Sequence, residues 1–231
     1  VDISSSYPYQ MVSKKYPTIW LGIKNERYLV KELFAKYPVE DYAIACRCTF
    51  TNLRAKHVHS ILSKHKSSRL DLNSLIEDNG RVNFCNEIEF ACNEIDILNI
   101  LDFYDFDNIE IRDIYISKKQ YLPKELVSII LKLFQMKTNL KGIEEEVENY
   151  MRSKTRISGV YGTCVFNILD SGIYFDNECD TKFIKEEKDF SDFKKYCNNP
   201  KQYLWYSIGV WVTSYAKRQI LEPIKKLSEN E

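Results

Sequence analysis

Apolar positions follow two rhythms along this chain. From Tyr42 to Asn52 they alternate, with Tyr42, Ile44, Cys46, Cys48 and Phe50 on one face, as in a half-buried strand. Ile109 to Ile116 repeats the alternation, and residues 81–91 read as strand material. Between them Ile95, Leu98 and Leu101 predict a helix from Asn93 to Tyr104. Upstream, residues 1–4 read as a short strand and 5–16 as a helix stopped by Pro17. Residues 25–36 form a second helical pattern closed by Tyr37-Pro38. Residues 54–80 are polar and basic, carry Lys56, Lys64, Lys66 and Arg69, and end in the turn signal Asp78-Asn79-Gly80. Strands and short helices thus alternate without the long crossovers of a parallel sheet, which points to a mixed α+β unit.

The rhythm becomes helical at Leu122-Pro123, with Pro at a helix start. Leu126, Ile129, Ile130, Leu133 and Phe134 make one stripe through 123–137. A second helix is predicted over 143–161, acidic first (Glu144, Glu145, Glu146, Glu148) and basic later (Arg152, Lys154, Arg156), an order that suits the helix dipole. The two make a hairpin hinged at Gly142, with Lys137 near the hinge and Gly162 closing the second helix as a C′ residue. Residues 163–200 hold short strand-like runs around Asp170-Ser171-Gly172 and a charged loop. A long final helix, Tyr203 to Lys226, carries Trp205, Ile208, Trp211, Val212, Tyr215 and Ile220 as a buried platform.

Composition narrows the function classes. The chain has 231 residues, 44% hydrophobic and 29% charged, enough for one large domain or two small ones. Lys+Arg and Asp+Glu balance at 33 each, which counts against a free-standing DNA-binding domain but not against segregated charge. Seven Cys at irregular spacing fit reduced thiols in a cytoplasmic protein rather than a disulfide framework. No run of apolar residues is long enough for a membrane span. Cys46 and Cys48, near His57, His59 and His65, raise zinc, but both cysteines share the apolar face of their strand, so core packing is the preferred reading.

Two short segments carry candidate chemistry. In Val1-Asp2-Ile3-Ser4-Ser5-Ser6-Tyr7-Pro8 a carboxylate follows a β-branched residue and precedes a hydroxyl-rich turn. That suits a strand ending at a hard-cation site, with Tyr7 as a floor for a nucleotide sugar; an Asp serving as a helix N-cap is the alternative. In Lys154-Thr155-Arg156-Ile157-Ser158-Gly159-Val160-Tyr161-Gly162 the seven-residue step from Lys154 to Tyr161 is two helical turns. One face then holds a cation and a ring; a surface Lys and Tyr on an ordinary amphipathic helix is the alternative.

These segments resemble motifs A (Asp-x-x-Ser-Leu-Tyr-Pro) and B (Lys-x-x-x-Asn-Ser-x-Tyr-Gly) of family B DNA polymerases, phage-type and close to the protein-primed subgroup. Ser6 stands where Leu is usual, and Ser158-Gly159 replace Asn-Ser. Tyr121-Leu122-Pro123, Lys137-Thr138 with Leu140-Lys141-Gly142, and Gly209-Val210-Trp211 to Tyr215-Ala216-Lys217-Arg218 are supporting matches. The resemblance implies a partial palm with an α+β insertion and a helical-hairpin fingers subdomain. Residues 1–24 would start the palm, 25–120 form the insertion, 121–162 the fingers, 163–201 a second insertion and 202–231 a palm helix.

It further implies that Asp2 and the Ile3 carbonyl bind Mg²⁺ or Mn²⁺, Tyr7 stacks under the deoxyribose and excludes a 2′-hydroxyl, Lys154 and Lys137 grip the triphosphate, and Tyr161 packs on the nascent base pair. Primer-template DNA and dNTP would be ligands, with a terminal or priming protein as a further candidate partner. The setting would be a phage or prophage protein in the cytoplasm of a bacterial host. The chain begins at Val1 and carries no Tyr-x-Asp-Thr-Asp-Ser motif, so a fragment unable to polymerise alone is expected. The competing class is a non-catalytic nucleic-acid-binding or interaction module from a decayed phage polymerase.

Overall fold

The computed structural model describes residues 5–22, 28–165, 173–175, 183–185, 190–199 and 205–228. It begins with helix α1 (Ser6–Ser13) and strand β1 (Lys15–Gly22), followed by helix α2 (Val30–Lys36) and the long strand β2 (Tyr42–Ala55). Strands β3 (Ser67–Leu70), β4 (Ile76–Asp78) and β5 (Arg81–Asn93) come next, then helix α3 (Glu94–Phe103), β6 (Tyr104–Asp105) and β7 (Asn108–Tyr121). The hairpin is α4 (Lys124–Leu140) and α5 (Val147–Gly162). A small ribbon, β8 (Ile173–Phe175) with β9 (Phe183–Lys185), and helix α6 (Phe190–Cys197) precede the last helix, α7 (Tyr206–Ser228).

The main sheet is antiparallel in order β1-β7-β2-β5-β3, with β4 added to β5 and β6 to β2. Alternation along β2 places Ile44, Cys46, Cys48 and Phe50 in the core against Ile88, Phe90, Ile111 and α3. Cys46 and Cys48, with sulfurs 3.6 Å apart, are part of that packing. The turn at Asp78-Asn79-Gly80 forms as the sequence predicts: Asn79 (φ 47°) and Gly80 (φ 73°) are both left-handed, the geometry of a two-residue hairpin between β4 and β5. A second core gathers Met11, Tyr16, Leu122, Ile130, Cys164, Trp211 and Val212, where α1, β1 and the helical hairpin meet α7.

Several expectations are corrected here. The helix assigned to 5–16 ends at Ser13, and Lys15–Gly22, Pro17 included, is the edge strand β1. Pro is tolerated there because an edge strand leaves some backbone donors unneeded. Residues 54–80 are not one irregular stretch, since they finish β2 and supply β3 and β4. Gly162 stays inside α5, and Thr163, itself right-handed at φ −65°, follows it; the left-handed glycine of the hairpin is Gly142 at φ 86°. The last helix starts at Tyr206 rather than Tyr203; within it Trp211 and Val212 are buried, but Ile220, and Trp205 just ahead of it, are exposed.

Helix α7 is tied to the sheet layer by polar contacts that its hydrophobic pattern did not reveal. Glu94, fully buried, accepts from Lys119 Nζ (2.6 Å), Trp211 Nε1 (2.7 Å) and the Ile44 amide (2.8 Å). Asn93 caps α3 by accepting from the Asp96 amide (2.9 Å) and donates to Ser214 Oγ (2.8 Å). Asp102 takes Lys225 (2.7 Å) and Arg218 from farther along α7.

Gly209 is where α7 crosses the end of α5. A Cβ there would meet Val165 Cγ1 at 2.5 Å and the Cys164 carbonyl oxygen at 3.1 Å. Gly209→Ala is therefore expected to cost about 1–3 kcal/mol, as overpacking does. A thermal melt checks it, and an unchanged midpoint would mean that the α5 terminus gives way freely.

Candidate nucleotide and nucleic-acid site

One cleft of about 1190 Å³ opens between α1, the α4–α5 hairpin and α7. Its lining includes Tyr7, Lys137, Lys154 and Tyr161, four positions selected from separate stretches of sequence. Asp2 and Ile3 lie outside the described residues.

The local structure explains how they converge. Ser5 precedes α1 in the left-handed region (φ 57°, ψ 37°), unusual for a residue with a side chain, and its hydroxyl accepts from Lys137 Nζ at 2.8 Å. That bond joins the start of α1 to the last turn of α4. Tyr7 stands two residues on, and its ring stacks on Tyr161 with centroids 4.1 Å apart and planes 25° apart. Lys154 and Tyr161 project from the same side of α5, as their two-turn spacing requires. Lys154 is solvent-exposed, while Ile157 and Ser153 on the same helix are buried and fix its rotation.

Tyr161 is also held from α7. Its hydroxyl lies 2.9 Å from Thr213 Oγ1, and Thr213 donates its own proton to the Gly209 carbonyl, so Tyr161 is the donor to Thr213. The Tyr7–Tyr161 pair is thus an aromatic surface clamped from three helices. Ser158, standing where the motif has Asn, lines the same cleft.

The charge of the cleft has one sign. Lys66, Arg81, Lys137, Lys141, Lys154 and Lys217 all line it, and no Asp or Glu does so among the described lining residues. A chain of zero net charge has therefore segregated its cations here. Lys66, Arg81, Lys141 and Lys217 were not selected from sequence as site residues. The basic stretch at 54–69 signalled Lys66, the supporting matches included Lys141 and Lys217, and Arg81 had no signal.

Lys217 is half-buried, and desolvation pulls its ammonium pKa down, opposed by the carboxylate of Asp96. Burial in turn pushes the Asp96 carboxyl up, opposed by Lys217 and by hydrogen bonds from the Asn93 amide and Ser214. Such a surface can hold phosphates and stack a planar ring. Among the described residues no group of three or more His, Cys, Asp or Glu could hold a metal ion. The described residues alone thus do not make a two-metal site.

This fold and cleft define a class: the chain has a DNA-polymerase-like fold of mixed α+β type. Solved structures of phi29 DNA polymerase are similar to it. Its ternary complex with primer-template DNA and incoming nucleotide substrates matches at TM-score 0.63 and 17% identity over 99% of this chain. Its binary complex with primer-template DNA gives 0.63 at 16% identity, and an orthorhombic crystal form gives 0.61 at 16%. Identity this low speaks for the fold. The chain spans 35% of the first of those structures, about a third of that polymerase. No protein-family model and no curated protein sequence matches it. No helix among the described residues is long and apolar enough to cross a membrane.

Proposed function

We propose that this chain is the palm-and-fingers part of a template-directed DNA polymerase of the family B type, which transfers dNMP from a dNTP to a primer 3′-hydroxyl. One observation carries the reading. Tyr7, Lys137, Lys154 and Tyr161, chosen from motifs more than a hundred residues apart, line a single cleft whose described charges are all positive. In this reading Lys154 and Lys137 bind the triphosphate as charge-assisted donors, and dNTP replaces the stacking partner that Tyr7 and Tyr161 now find in each other. Tyr7 then lies under the sugar, where a 2′-hydroxyl would collide with its ring. Asp2, three residues before Ser5, is the proposed ligand for Mg²⁺ or Mn²⁺ together with the Ile3 carbonyl. The ions would polarise the phosphoryl oxygens.

The test is an equilibrium titration of the chain with dNTP and with the matching ribonucleotide, Mn²⁺ present. Binding is expected to favour dNTP by at least about tenfold, near 1.4 kcal/mol, with the preference shrinking in Tyr7→Ala and the affinity falling in Asp2→Asn. Equal binding of the two nucleotides by the wild type, or none, would sink the proposal. A purely structural, non-catalytic module would bind DNA yet show no dependence of nucleotide affinity on Asp2.

A further inference from the structure

We propose that a second, smaller pocket between α1, α4 and α7 binds a small fused-ring aromatic molecule bearing a hydroxyl, and that its occupation lowers the affinity of the cleft for nucleotide. The pocket has a volume of about 260 Å³. Pro8, Tyr9 and Val12 of α1 and Ile130, Leu131 and Phe134 of α4 line it, with Ser5 and Gln219 as its polar members. A space that large is not a packing defect, since protein interiors leave few gaps bigger than a water molecule. An apolar cavity of about 150 Å³ takes one benzene ring. In proportion, about 260 Å³ takes two fused rings.

The polar members select the substituent. Gln10, buried on α1, donates from Nε2 to Gln219 Oε1 at 2.6 Å. The Gln219 N–H groups and the Gln10 Oε1 are then left without partners among the described residues. Ser5 Oγ accepts from Lys137 Nζ at 2.8 Å, and its own proton is likewise uncommitted among the described residues. A hydroxyl both donates and accepts, so one such group answers a wall that offers both. A charged substituent would lose its hydration against the apolar lining without an opposite charge to repay it.

The pocket and the cleft share Ser5, Pro8 and Phe134. Lys137 lines the cleft and is tied to the pocket through Ser5. A ligand oxygen that accepts the Ser5 proton makes a chain from Lys137 through Ser5 to the ligand, and hydrogen bonds in a chain strengthen one another. Lys137 is then held on Ser5 rather than on a triphosphate, so the two ligands oppose each other by linkage. This coupling rests on the polymerase reading, which gives Lys137 to the triphosphate; the pocket does not.

The probe is 2-naphthol, titrated into the methyl-labelled chain and followed by NMR at Val12, Ile130 and Leu131. Their signals are expected to shift and saturate with a Kd below about 1 mM, a modest affinity for about eleven heavy atoms. Naphthalene, which lacks the hydroxyl, should bind at least about threefold more weakly. Leu131→Trp fills the pocket from a half-exposed position, so it should fold and abolish the shifts at Val12 and Ile130. Saturating 2-naphthol is expected to weaken dNTP binding about fivefold. Ser5→Ala removes the relay and should erase that effect.

Unmoved methyl signals up to the solubility limit would overturn the site. So would shifts that survive unchanged in Leu131→Trp. A loss of dNTP affinity that grows without limit as 2-naphthol is added, where coupling levels off, would put the molecule in the cleft and overturn the site as well. An unchanged dNTP affinity in a chain that binds both would overturn the coupling. Methyl shifts in a chain that binds no dNTP would overturn the polymerase reading, and the coupling with it, while the pocket stands.

Discussion

Glu94→Gln is expected to destabilise the fold by about 3–5 kcal/mol, the usual result of leaving one partner of a buried ion pair behind. Glu94 and Lys119 are both sealed from solvent, with side-chain exposures of 0% and 2% and a contact of 2.6 Å. Burial pushes the Glu94 carboxyl up, and Lys119, the Ile44 amide and the Trp211 indole oppose that push. The pair sits where four elements meet: α3 supplies Glu94, β7 Lys119, β2 the Ile44 amide and α7 Trp211. A Gln can still accept one of the two N–H groups, but Lys119 then keeps only the Val39 carbonyl (2.6 Å) and the face of Tyr215 (5.5 Å) for its charge. Urea denaturation gives the measurement. Glu94→Gln/Lys119→Met should recover most of the loss, because it removes the stranded cation. A single-variant loss below about 1 kcal/mol, the range of an exposed pair, would show that water reaches the site.

Lys154→Ala is expected to weaken dNTP binding by about 10–100-fold, since a hydrogen bond to a charged group contributes about 1.5–3 kcal/mol. The fold should be untouched, because Lys154 is exposed and the neighbours that anchor α5, Ser153 and Ile157, are unchanged. A melt identical to wild type with a lost affinity separates ligand contact from scaffold damage. Lys154→Arg should restore part of the affinity by keeping the charge. Wild-type affinity in the alanine variant would remove Lys154 from the triphosphate site. Lys137→Ala is a less clean probe, since Lys137 also holds the left-handed Ser5 through its hydroxyl.

Much of the fold was legible in the chain because its elements are locally consistent. The alternation in β2, the stripe of α4, the turn at Asn79-Gly80 and the hinge at Gly142 each follow from one residue's neighbours. The failures share one cause. Lys15–Gly22 has no decisive periodicity of its own, and it became a strand because β7 offered an edge. Gly162 could close a helix, but the chain continues through Thr163 to pack Cys164 beneath Gly209, a contact set by α7. Trp205, just ahead of α7, and Ile220 looked core-forming by type, yet both are exposed, because type alone does not say which face of the final helix the sheet layer covers.

By itself, then, the sequence determined the two rhythms, the α+β class, the helical hairpin, and the short motifs holding Tyr7, Lys137, Lys154 and Tyr161, since each depends on spacings within a few turns of chain. Only the tertiary structure decided that Tyr7 stacks on Tyr161, that Lys137 reaches Ser5, and that Lys66, Arg81 and Lys217 join the same cleft. Those contacts link residues up to about 150 positions apart. No local pattern encodes them, because they arise when α7 is drawn onto the sheet by the buried Glu94–Lys119 pair and the apolar faces around Trp211.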